Sequence, residues 1–438
     1  MFAKFLQPTW AVLEYGWYPL LVLISTPYFV HTLGAENYGH WMLLTATVAF
    51  GGILNAGTSA AVIKEVSAGC GRQEGSKVEH TVRSALSIAI TSGGVYATII
   101  GFVFAFFSET LFVKMGDQSL VLLTGIAAAG LGWMEQVENV FMSALKGAEQ
   151  FGRAAGIEMA GKTVQIIAAV TGITVWPSLV AVYICLVVVG MLRLAVKGWA
   201  VRCSLGLSSL RPRGIDASKL VEYAGWGWVQ GAGGVLFGVA DRMLIGSFLG
   251  AASLTHYSLA TQLAQQIHGL SAAAFSVVAP KVSRRISLDP GVSLRNIAKL
   301  AMSANFVASS VLALSLLVFG KDILSFWLGG SEAEASAQVL RYLTVAYWLL
   351  AINVSPHYIL LGMGRIRIVS IINLAAGIVS LLAMVVLADS FGLVGLAVAR
   401  ILYGAVILLN VLSLGEYFWR SRGEHPSQTS RTPLAESI

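Results

Sequence analysis

The chain has 438 residues, of which 56% are apolar and only 12% are charged. Soluble domains carry about twice that charged fraction, so the composition excludes a soluble globular enzyme, a disordered chain and a secreted disulfide scaffold. The 46 glycines and 11 tryptophans are typical of membrane helices and of membrane interfaces. We therefore predict a helical protein that crosses the membrane many times, and the net charge of +7 is first a signal of topology.

The apolar runs divide the chain into spans. A helix needs roughly 20 apolar residues to cross a bilayer. On this rule the sequence predicts twelve spans, at about 10–30, 40–63, 84–107, 119–145, 157–175, 178–200, 225–249, 255–279, 296–319, 337–361, 368–388 and 394–415. The tail 416–438 is polar and rich in Ser, Thr, Pro and Arg, which predicts a disordered cytoplasmic segment.

Loop charges indicate how the spans are oriented. Nearly all basic loop residues fall on the side that also holds Lys4 and the tail, whereas Lys114 and Lys321 fall in loops on the other side. Cytoplasmic loops carry the excess of Lys and Arg in membrane proteins. We expect a multi-pass protein of the bacterial inner membrane with both termini in the cytoplasm.

The sequence contains an internal repeat. Residues 33–41 (LGAENYGHW) resemble residues 249–257 (LGAASLTHY), and Val66-Ser67 matches Val282-Ser283 in the same register without a gap. Six spans separate the copies, so both have the same membrane orientation, as in parallel repeats of transporters. The repeat predicts an N-terminal six-helix bundle at 1–205 and a C-terminal six-helix bundle at 206–415, around a central cavity.

Four basic residues at membrane depth are predicted contacts for an anionic substrate. An ionisable group within the bilayer is costly, so it indicates a function or a partner on another helix. The candidates are Arg242, Arg193, Arg400 and Lys162. Asp241 precedes Arg242, and neighbours on a helix do not face each other, so each is expected to seek another helix or water. The alternative for Asp241 and Arg242 is a structural pair with another helix, and the alternative for Arg193 is a side chain that extends to the membrane interface.

Four carboxylates are predicted to couple transport to a proton or sodium gradient. Glu135 and Glu138 lie three residues apart in span 4 and share a helix face, and two carboxylates this close in a low dielectric raise the pKa of one of them. Glu14 in span 1 and Asp241 are the others. Pairing with a cation on another helix is the alternative for these carboxylates.

A polar stripe crosses span 8, and a second polar group interrupts span 10. The first consists of Gln262, Gln265, Gln266 and His268, and the second of Asn353, Pro356 and His357. Such groups often only bridge membrane helices by hydrogen bonds, and we favour that interpretation.

No motif indicates an enzyme. Residues 156–163 (GIEMAGKT) fit the phosphate-loop pattern, but the segment opens a membrane helix and no strand precedes it, so nucleotide binding is not expected. A local ion pair between Glu158 and Lys162 is the simpler interpretation. We find no catalytic constellation, expect no cofactor or metal, and expect no nucleic-acid partner.

Four short segments resemble one transporter family. They are 33–39 (LGAENYG), 145–147 (LKG), 240–246 (ADRMLIG) and 362–365 (GMGR). Together with the spans and the parallel repeat, they resemble the polysaccharide-transporter branch of the multidrug/oligosaccharidyl-lipid/polysaccharide exporter superfamily. Within that branch the sequence is most similar to the O-antigen flippases of the Wzx type.

The resemblance implies a flippase that carries an undecaprenyl-diphosphate-linked oligosaccharide to the periplasmic face by alternating access. Arginine suits such a substrate because its planar fork binds two phosphate or carboxylate oxygens. O-antigen polymerase and chain-length regulator are the protein partners that the family implies. The alternatives are a multidrug or cation antiporter of the same superfamily, a lipid II flippase, and, in a different class, an O-antigen polymerase or ligase.

Overall fold

The computed structural model describes residues 2–212, 238–275, 278–288 and 294–415. Within these ranges every regular element is a helix and no β-strand occurs. The predicted all-α class is therefore confirmed. The connection between the halves at 213–237, which includes the start of predicted span 7, and the predicted tail 416–438 lie outside the described residues.

Six α-helices and a short 3-10 helix, Val113–Met115, form the described N-terminal half, residues 2–212. The α-helices are α1 Phe2–Phe50, α2 Gly52–Gly71, α3 Gly75–Leu111, α4 Gln118–Gly147, α5 Phe151–Val175 and α6 Leu179–Leu205. Asp117 caps the start of α4, where its carboxylate accepts the backbone N–H groups of Ser119 and Leu120. This satisfies two of the donors that the first turn of a helix leaves free.

Seven helices are described in the C-terminal half, residues 238–415. They are α7 Ala240–Leu249, α8 Ala251–Phe275, α9 Val278–Leu288, α10 Arg295–Leu328, α11 Gly330–Ile352, α12 Val354–Gly362 and α13 Ile366–Ile407. Six candidate spans are long and apolar enough to cross a membrane in the described ranges: Gly75–Leu111, Gln118–Gly147, Leu179–Leu205, Arg295–Leu328, Gly330–Gly362 and Ile366–Gly415. The count of twelve spans stays a prediction.

Several helix boundaries differ from the predicted spans. Predicted spans 1 and 2 join in α1 across a kink at Gly34, and predicted spans 11 and 12 join in α13 across Gly392. Predicted span 2 is itself divided at Gly51, between α1 and α2. Gly34 and Gly392 have positive φ angles of 77° and 53°, which glycine adopts readily. Both glycines fall between predicted spans, so the sequence anticipated these two breaks, whereas the break at Gly51 falls inside predicted span 2.

The break between α11 and α12 follows from a proline. Pro356 has no N–H to donate to the carbonyl of Ile352, four residues earlier. Asn305 on α10 supplies donors instead, at 3.3 Å to the Ile352 oxygen and 2.7 Å to the Ala351 oxygen. In a membrane every backbone group needs a partner within the protein. The interruption predicted at Asn353 and Pro356 is thus stabilised by a neighbouring helix.

The predicted repeat reappears in backbone geometry and packing. Gly34 and Gly250 are equivalent positions of the repeat, and their φ angles are 77° and 86°. A Cβ at Gly147 would lie 2.9 Å from the Ile63 oxygen, and a Cβ at Gly362 would lie 2.6 Å from the Ala279 oxygen. Ile63 and Ala279 are also equivalent positions of the repeat. The same close helix contact therefore occurs once in each half, as a parallel repeat requires.

The large apolar side chains that point outward are typical of a lipid-facing surface. Phe106, Val175, Phe326 and Val386 are among the residues exposed by more than two thirds of their surface. Water-soluble proteins avoid extended exposed apolar patches of this kind. Together with the six apolar helices, this exposure identifies the chain as a multi-pass membrane protein.

The two halves meet along a closely packed seam at one end of the molecule. Ser247 donates to the Leu111 carbonyl, and Thr255 donates to the Ala35 carbonyl at 2.5 Å. A Cβ at Gly39 would overlap the Ala251 carbonyl, and a Cβ at Gly250 would overlap the Lys114 carbonyl. We call these contacts the seam. Its glycines allow the backbones of the two halves to touch directly.

The segment after α6 is held against the start of α3. Ser208 donates its backbone N–H to Glu79 at 2.9 Å and its hydroxyl at 2.7 Å. The connection to the C-terminal half therefore leaves the first half from a fixed point.

Candidate functional site: a central cavity with one cation

A central cavity lies between the halves. Its volume is about 150 Å³, and its walls come from α1, α5, α7 and α8. Tyr18, Tyr38 and Trp41 contribute aromatic surface from α1, and Gln262, Gln265 and Gln266 contribute amides from α8. The lining joins both halves, so any molecule held here would contact both of them.

Arg242 gives the central cavity its charge. It is the one charged side chain among the described residues that line the cavity, and no described carboxylate lies in that lining. Its Nε is buried without a hydrogen-bond partner. In the described part of the chain the guanidinium also makes no ion pair. An unpaired guanidinium is a strong site for phosphate or carboxylate oxygens, because it offers parallel N–H donors.

The wall beside Arg242 is fixed by hydrogen bonds between the halves. Thr26 donates to Gln262 Oε1 at 3.0 Å, and Gln262 Nε2 donates to the Tyr38 hydroxyl at 3.0 Å. Gln262 therefore bridges helices, as the sequence interpretation favoured. Gln265 and Gln266 also line the cavity, so the stripe has a second face that the helix-bridging interpretation missed.

A second cavity of about 300 Å³ adjoins the first within the N-terminal half. It is lined by Glu14, Trp17, Tyr18, Lys146, Glu158, Met159 and Lys162, so Tyr18 borders both cavities. Glu14 is paired with Lys146 at 2.8 Å. Lys162 lies 3.9 Å from Glu158, and its Nζ lies 4.7 Å from the centre of the Tyr18 ring. We call this the N-side cavity.

Four charged residues form an ion network behind the N-side cavity. Glu138 contacts Arg193 at 2.6 Å and Lys197 at 2.5 Å, and Glu158 contacts the same two cations at 3.5 and 2.5 Å. The network joins α4, α5 and α6. Lys197 is only 2% exposed. Two carboxylates thus neutralise two cations that solvent does not reach, and removing one member would leave an unpaired buried charge, which is costly.

A second buried charge cluster holds the C-terminal half together. Asp241 on α7 is paired with Arg400 on α13, and both side chains are 1% exposed. Tyr257 on α8 donates to Asp241 Oδ2 at 3.0 Å. Arg400 donates to the hydroxyls of Tyr257 at 3.1 Å and Tyr347, on α11, at 2.7 Å. We call Asp241, Tyr257, Tyr347 and Arg400 the clamp.

A family model decides what kind of protein carries these cavities. The model described as "Polysaccharide biosynthesis protein" matches residues 9–286, which is more than half of the chain. The chain belongs to the polysaccharide biosynthesis protein family. The family resemblance drawn from the four short segments is therefore confirmed.

Two curated relatives of this family member are transport proteins by name. The "Putative O-antigen transporter" of Shigella flexneri is 22% identical over 407 residues, covering 91% of this chain and 95% of that protein. The "Probable low-salt glycan biosynthesis flippase Agl15" of Haloferax volcanii is 24% identical over 216 residues, covering 48% of this chain and 46% of that protein. These names agree with the prediction that the family member is not an enzyme.

Solved structures share its fold. An inward-facing multidrug resistance MATE family transporter of the MOP superfamily matches with a TM-score of 0.77 at 13% identity, over 95% of this chain and 96% of that one. The lipid II flippase MurJ, in an inward closed conformation, matches with a TM-score of 0.72 at 11% identity, over 95% and 87%. The predicted two-lobed membrane fold is thereby confirmed.

The structure separates the predicted cationic residues of this polysaccharide biosynthesis family member. Arg242 lines the central cavity and Lys162 lines the N-side cavity. Arg193 is instead committed to the ion network and Arg400 to the clamp, and neither lines the two cavities. Sequence placed all four at membrane depth but did not reveal which of them had partners on other helices.

The predicted carboxylates separate in the same way. Glu138, Glu14 and Asp241 each have a basic partner on another helix, at Lys197, Lys146 and Arg400. Glu135 makes no ion pair in the ranges that the structure describes. Three tyrosines of these sites, Tyr18, Tyr257 and Tyr347, were not predicted. An aromatic residue in an apolar span gives no sequence signal that distinguishes a cavity wall or a hydrogen-bond donor from ordinary packing.

Proposed function

We propose that the protein is a flippase for a lipid-linked glycan, specifically an undecaprenyl-diphosphate-linked oligosaccharide, which it moves across the bacterial inner membrane. The observation that carries the proposal is the lining of the central cavity. It presents Arg242 without a carboxylate among its described residues, together with amides and aromatic rings. Arginine binds phosphate oxygens, whereas amides and rings suit the hydroxyls and apolar faces of sugars.

The multidrug-exporter alternative predicts the opposite charge. A cavity for cationic drugs needs a carboxylate or an aromatic cage to stabilise the positive ligand. Arg242 at the centre would repel such a ligand. A similar fold at 11–13% identity does not decide between these functions, so the charge of the cavity carries the choice.

Transport is proposed to occur by alternating access, with both termini in the cytoplasm and the seam on the periplasmic side. The halves are already joined at the seam by direct backbone contacts and by the Ser247 and Thr255 hydrogen bonds. Opening of the seam would break these contacts and expose the central cavity to the periplasmic side. Association with an O-antigen polymerase and a chain-length regulator stays a prediction.

The test of the proposed function uses cells that lack the gene. Undecaprenyl-diphosphate-linked units on each membrane face would be quantified after complementation with wild type, Arg242→Ala, Arg242→Lys and Arg341→Ala. Arg341 serves as a matched control because it lies 5.0 Å from the Tyr342 ring and lines neither cavity. We expect Arg242→Ala to lower translocation roughly 10- to 100-fold, since a charge-assisted hydrogen bond contributes about 1.5–3 kcal/mol. Arg242→Lys should be intermediate because it keeps the charge and loses the fork.

Two results would oppose this proposal. If units reach the periplasmic face equally well without the gene, the flippase function is wrong. If wild type exports ethidium in the same cells and leaves the glycan lipid on the cytoplasmic face, the multidrug alternative replaces it. Equal clearance by wild type and Arg242→Ala would instead retain the flippase and remove Arg242 from the binding site.

Glu135 is the proposed coupling carboxylate for a cation gradient. Asp241, Glu138 and Glu14 would each have to exchange an ion-pair partner before binding a proton or sodium. Glu135→Gln should remove the dependence of transport on an imposed proton or sodium gradient in proteoliposomes, while Glu149→Gln serves as a control outside the spans. Gradient dependence that survives in Glu135→Gln would exclude this role.

A further inference from the structure

Asp241 of the clamp immediately precedes Arg242, the basic residue that lines the central cavity. Asp241 Oδ1 accepts the backbone N–H of Arg242 at 2.8 Å, while its Oδ2 faces Tyr257 and Arg400. Helix α7 starts at Ala240, and the same backbone N–H of Arg242 also donates to the Val239 carbonyl at 3.1 Å. The Asp241 carboxylate therefore contacts the first turn of its own helix and ties α7 to α8 and α13.

The same carboxylate is a potential competitor for Arg242. A buried carboxylate requires a cation, and Arg242 is the next residue after Asp241 and already donates its backbone N–H to that carboxylate. Adjacent helix residues do not face each other, so Arg242 would have to leave the cavity wall and distort α7 to reach Asp241. Arg400 removes the need for this movement because it already neutralises Asp241.

The tyrosines make Arg400 the stronger partner. Tyr257 accepts one N–H of Arg400 and donates its hydroxyl to Asp241, and Tyr347 accepts a second N–H. The guanidinium also lies 5.0 Å from the centre of the Tyr347 ring. These contacts fix the guanidinium before any ligand arrives, and pre-ordered donors form stronger interactions than mobile ones.

We propose that Arg400 is a positioning residue, which occupies Asp241 and thereby keeps Arg242 free to bind the anionic group of the substrate in the central cavity. This inference rests on the proposed function, because it assumes that Arg242 binds that group. On this proposal, the pair formed by Asp241 and Arg400 controls whether Arg242 is available to the substrate, and Arg400 itself does not contact the substrate.

Binding of farnesyl diphosphate to the full chain, purified in detergent, tests the proposal by isothermal titration calorimetry. Farnesol is the control ligand because it lacks the diphosphate. The variants are Arg242→Ala, Arg400→Gln, Asp241→Asn and the double variant Asp241→Asn with Arg400→Gln. Gel filtration and thermal melting confirm that each variant is folded.

We expect Arg400→Gln to weaken farnesyl diphosphate binding at least 10-fold, like Arg242→Ala, although Arg400 lines neither cavity. The double variant should recover binding to within about threefold of wild type, because no buried anion is left to attract Arg242. Removing both members of a buried ion pair also restores a fold that the loss of one member destabilises. The comparison of binding is therefore made between variants that melt at the same temperature as the wild type. A folded Arg400→Gln that binds like wild type, or a folded double variant as weak as Arg400→Gln, would overturn the proposal.

Tyr347→Phe keeps the test decisive where Arg400→Gln does not fold. It retains the ring beside the guanidinium and removes the hydroxyl that accepts from Arg400. We expect a two- to fivefold weakening of binding that the addition of Asp241→Asn reverses, and unchanged binding would contradict the proposal. The proposed function fails separately, when wild type and Arg242→Ala bind farnesyl diphosphate no better than farnesol.

Discussion

The two halves of the molecule treat their buried charges differently. In the N-terminal half, Glu138 and Glu158 share two cations in the ion network, and Lys162 remains at the rim of a cavity with a long contact of 3.9 Å. In the C-terminal half one carboxylate, Asp241, is matched by one cation, Arg400. Arg242 is thereby left without an ion-pair partner in the described ranges.

The repeat sharpens this comparison. The positions of the first copy that are equivalent to Asp241 and Arg242 are Ser25 and Thr26, which carry no charge and bond to the Val22 carbonyl of their own helix. Thr26 and Arg242 nevertheless line the same central cavity. Equivalent positions in the two halves thus provide a neutral side chain and a basic one. Arg242 alone is therefore enough to make the described lining of the central cavity positively charged.

The largest expected effect concerns the ion network. Glu138→Gln leaves Lys197 and Arg193 with Glu158 as their remaining carboxylate, so we expect a loss of about 3–5 kcal/mol in the free energy of unfolding. Denaturant titration of the purified protein measures this loss, and Glu334→Gln at an exposed pair is the control. A loss below about 1 kcal/mol would mean that the network is no more important than a surface pair.

Two repeat-related glycines, of which only Gly250 lies in the seam, allow a matched test of intermediate size. Gly250→Ala combines a positive φ with overlap against the Lys114 carbonyl, whereas Gly34→Ala has the positive φ and open space around it. Overpacking costs about 1–3 kcal/mol, and the backbone strain about 1–2 kcal/mol. We expect Gly250→Ala alone to open the seam.

Opening is measured by labelling a single cysteine, placed at Thr45 in a cysteine-free background, with a membrane-impermeant maleimide added from the periplasmic side. Thr45 lines the central cavity. Faster labelling in Gly250→Ala than in Gly34→Ala supports a seam that gates the cavity. Equal labelling rates in both variants would attribute the effect to backbone strain instead.

The smallest expected effect concerns Lys162. Its contact with the Tyr18 ring and its long contact with Glu158 are each weak, so Lys162→Gln should raise the Kd for farnesyl diphosphate about two- to fivefold. Lys162→Arg should bind like wild type. A weakening of farnesyl diphosphate binding as large as that caused by Arg242→Ala would show that the N-side cavity holds the anionic group. The N-terminal half, and not the C-terminal half, would then supply the cation that binds it.

Much of the architecture was predictable because it depends on local chemistry. Apolar length gave the membrane class, and the repeat at 33–41 and 249–257 gave the parallel arrangement that Gly34 and Gly250 reproduce. The exact helix breaks were less predictable. The break at Asn353 was predictable from Pro356. The Ile352 carbonyl that the proline leaves without a donor is satisfied by Asn305 from another helix, and no local sequence pattern reveals that contact.

The site was predictable in its residues and not in their roles. Arg242 and Arg400 look alike in sequence, since each is an arginine in an apolar helix. Arg400 lies beside Asp241, Tyr257 and Tyr347, which come from three other helices, and Arg242 lies beside amides and aromatic rings. The boundaries of the two bundles at 1–205 and 206–415 stay predictions.

The sequence by itself determined that the chain spans a membrane, repeats its topology and carries charges at membrane depth. These properties follow from composition, periodicity and register, which need no knowledge of distant contacts. Only the tertiary structure decided which charges neutralise each other and which remain for a ligand. The physical reason is that the energy of a buried charge depends on its partners within a few ångströms, and packing brings those partners from remote parts of the chain.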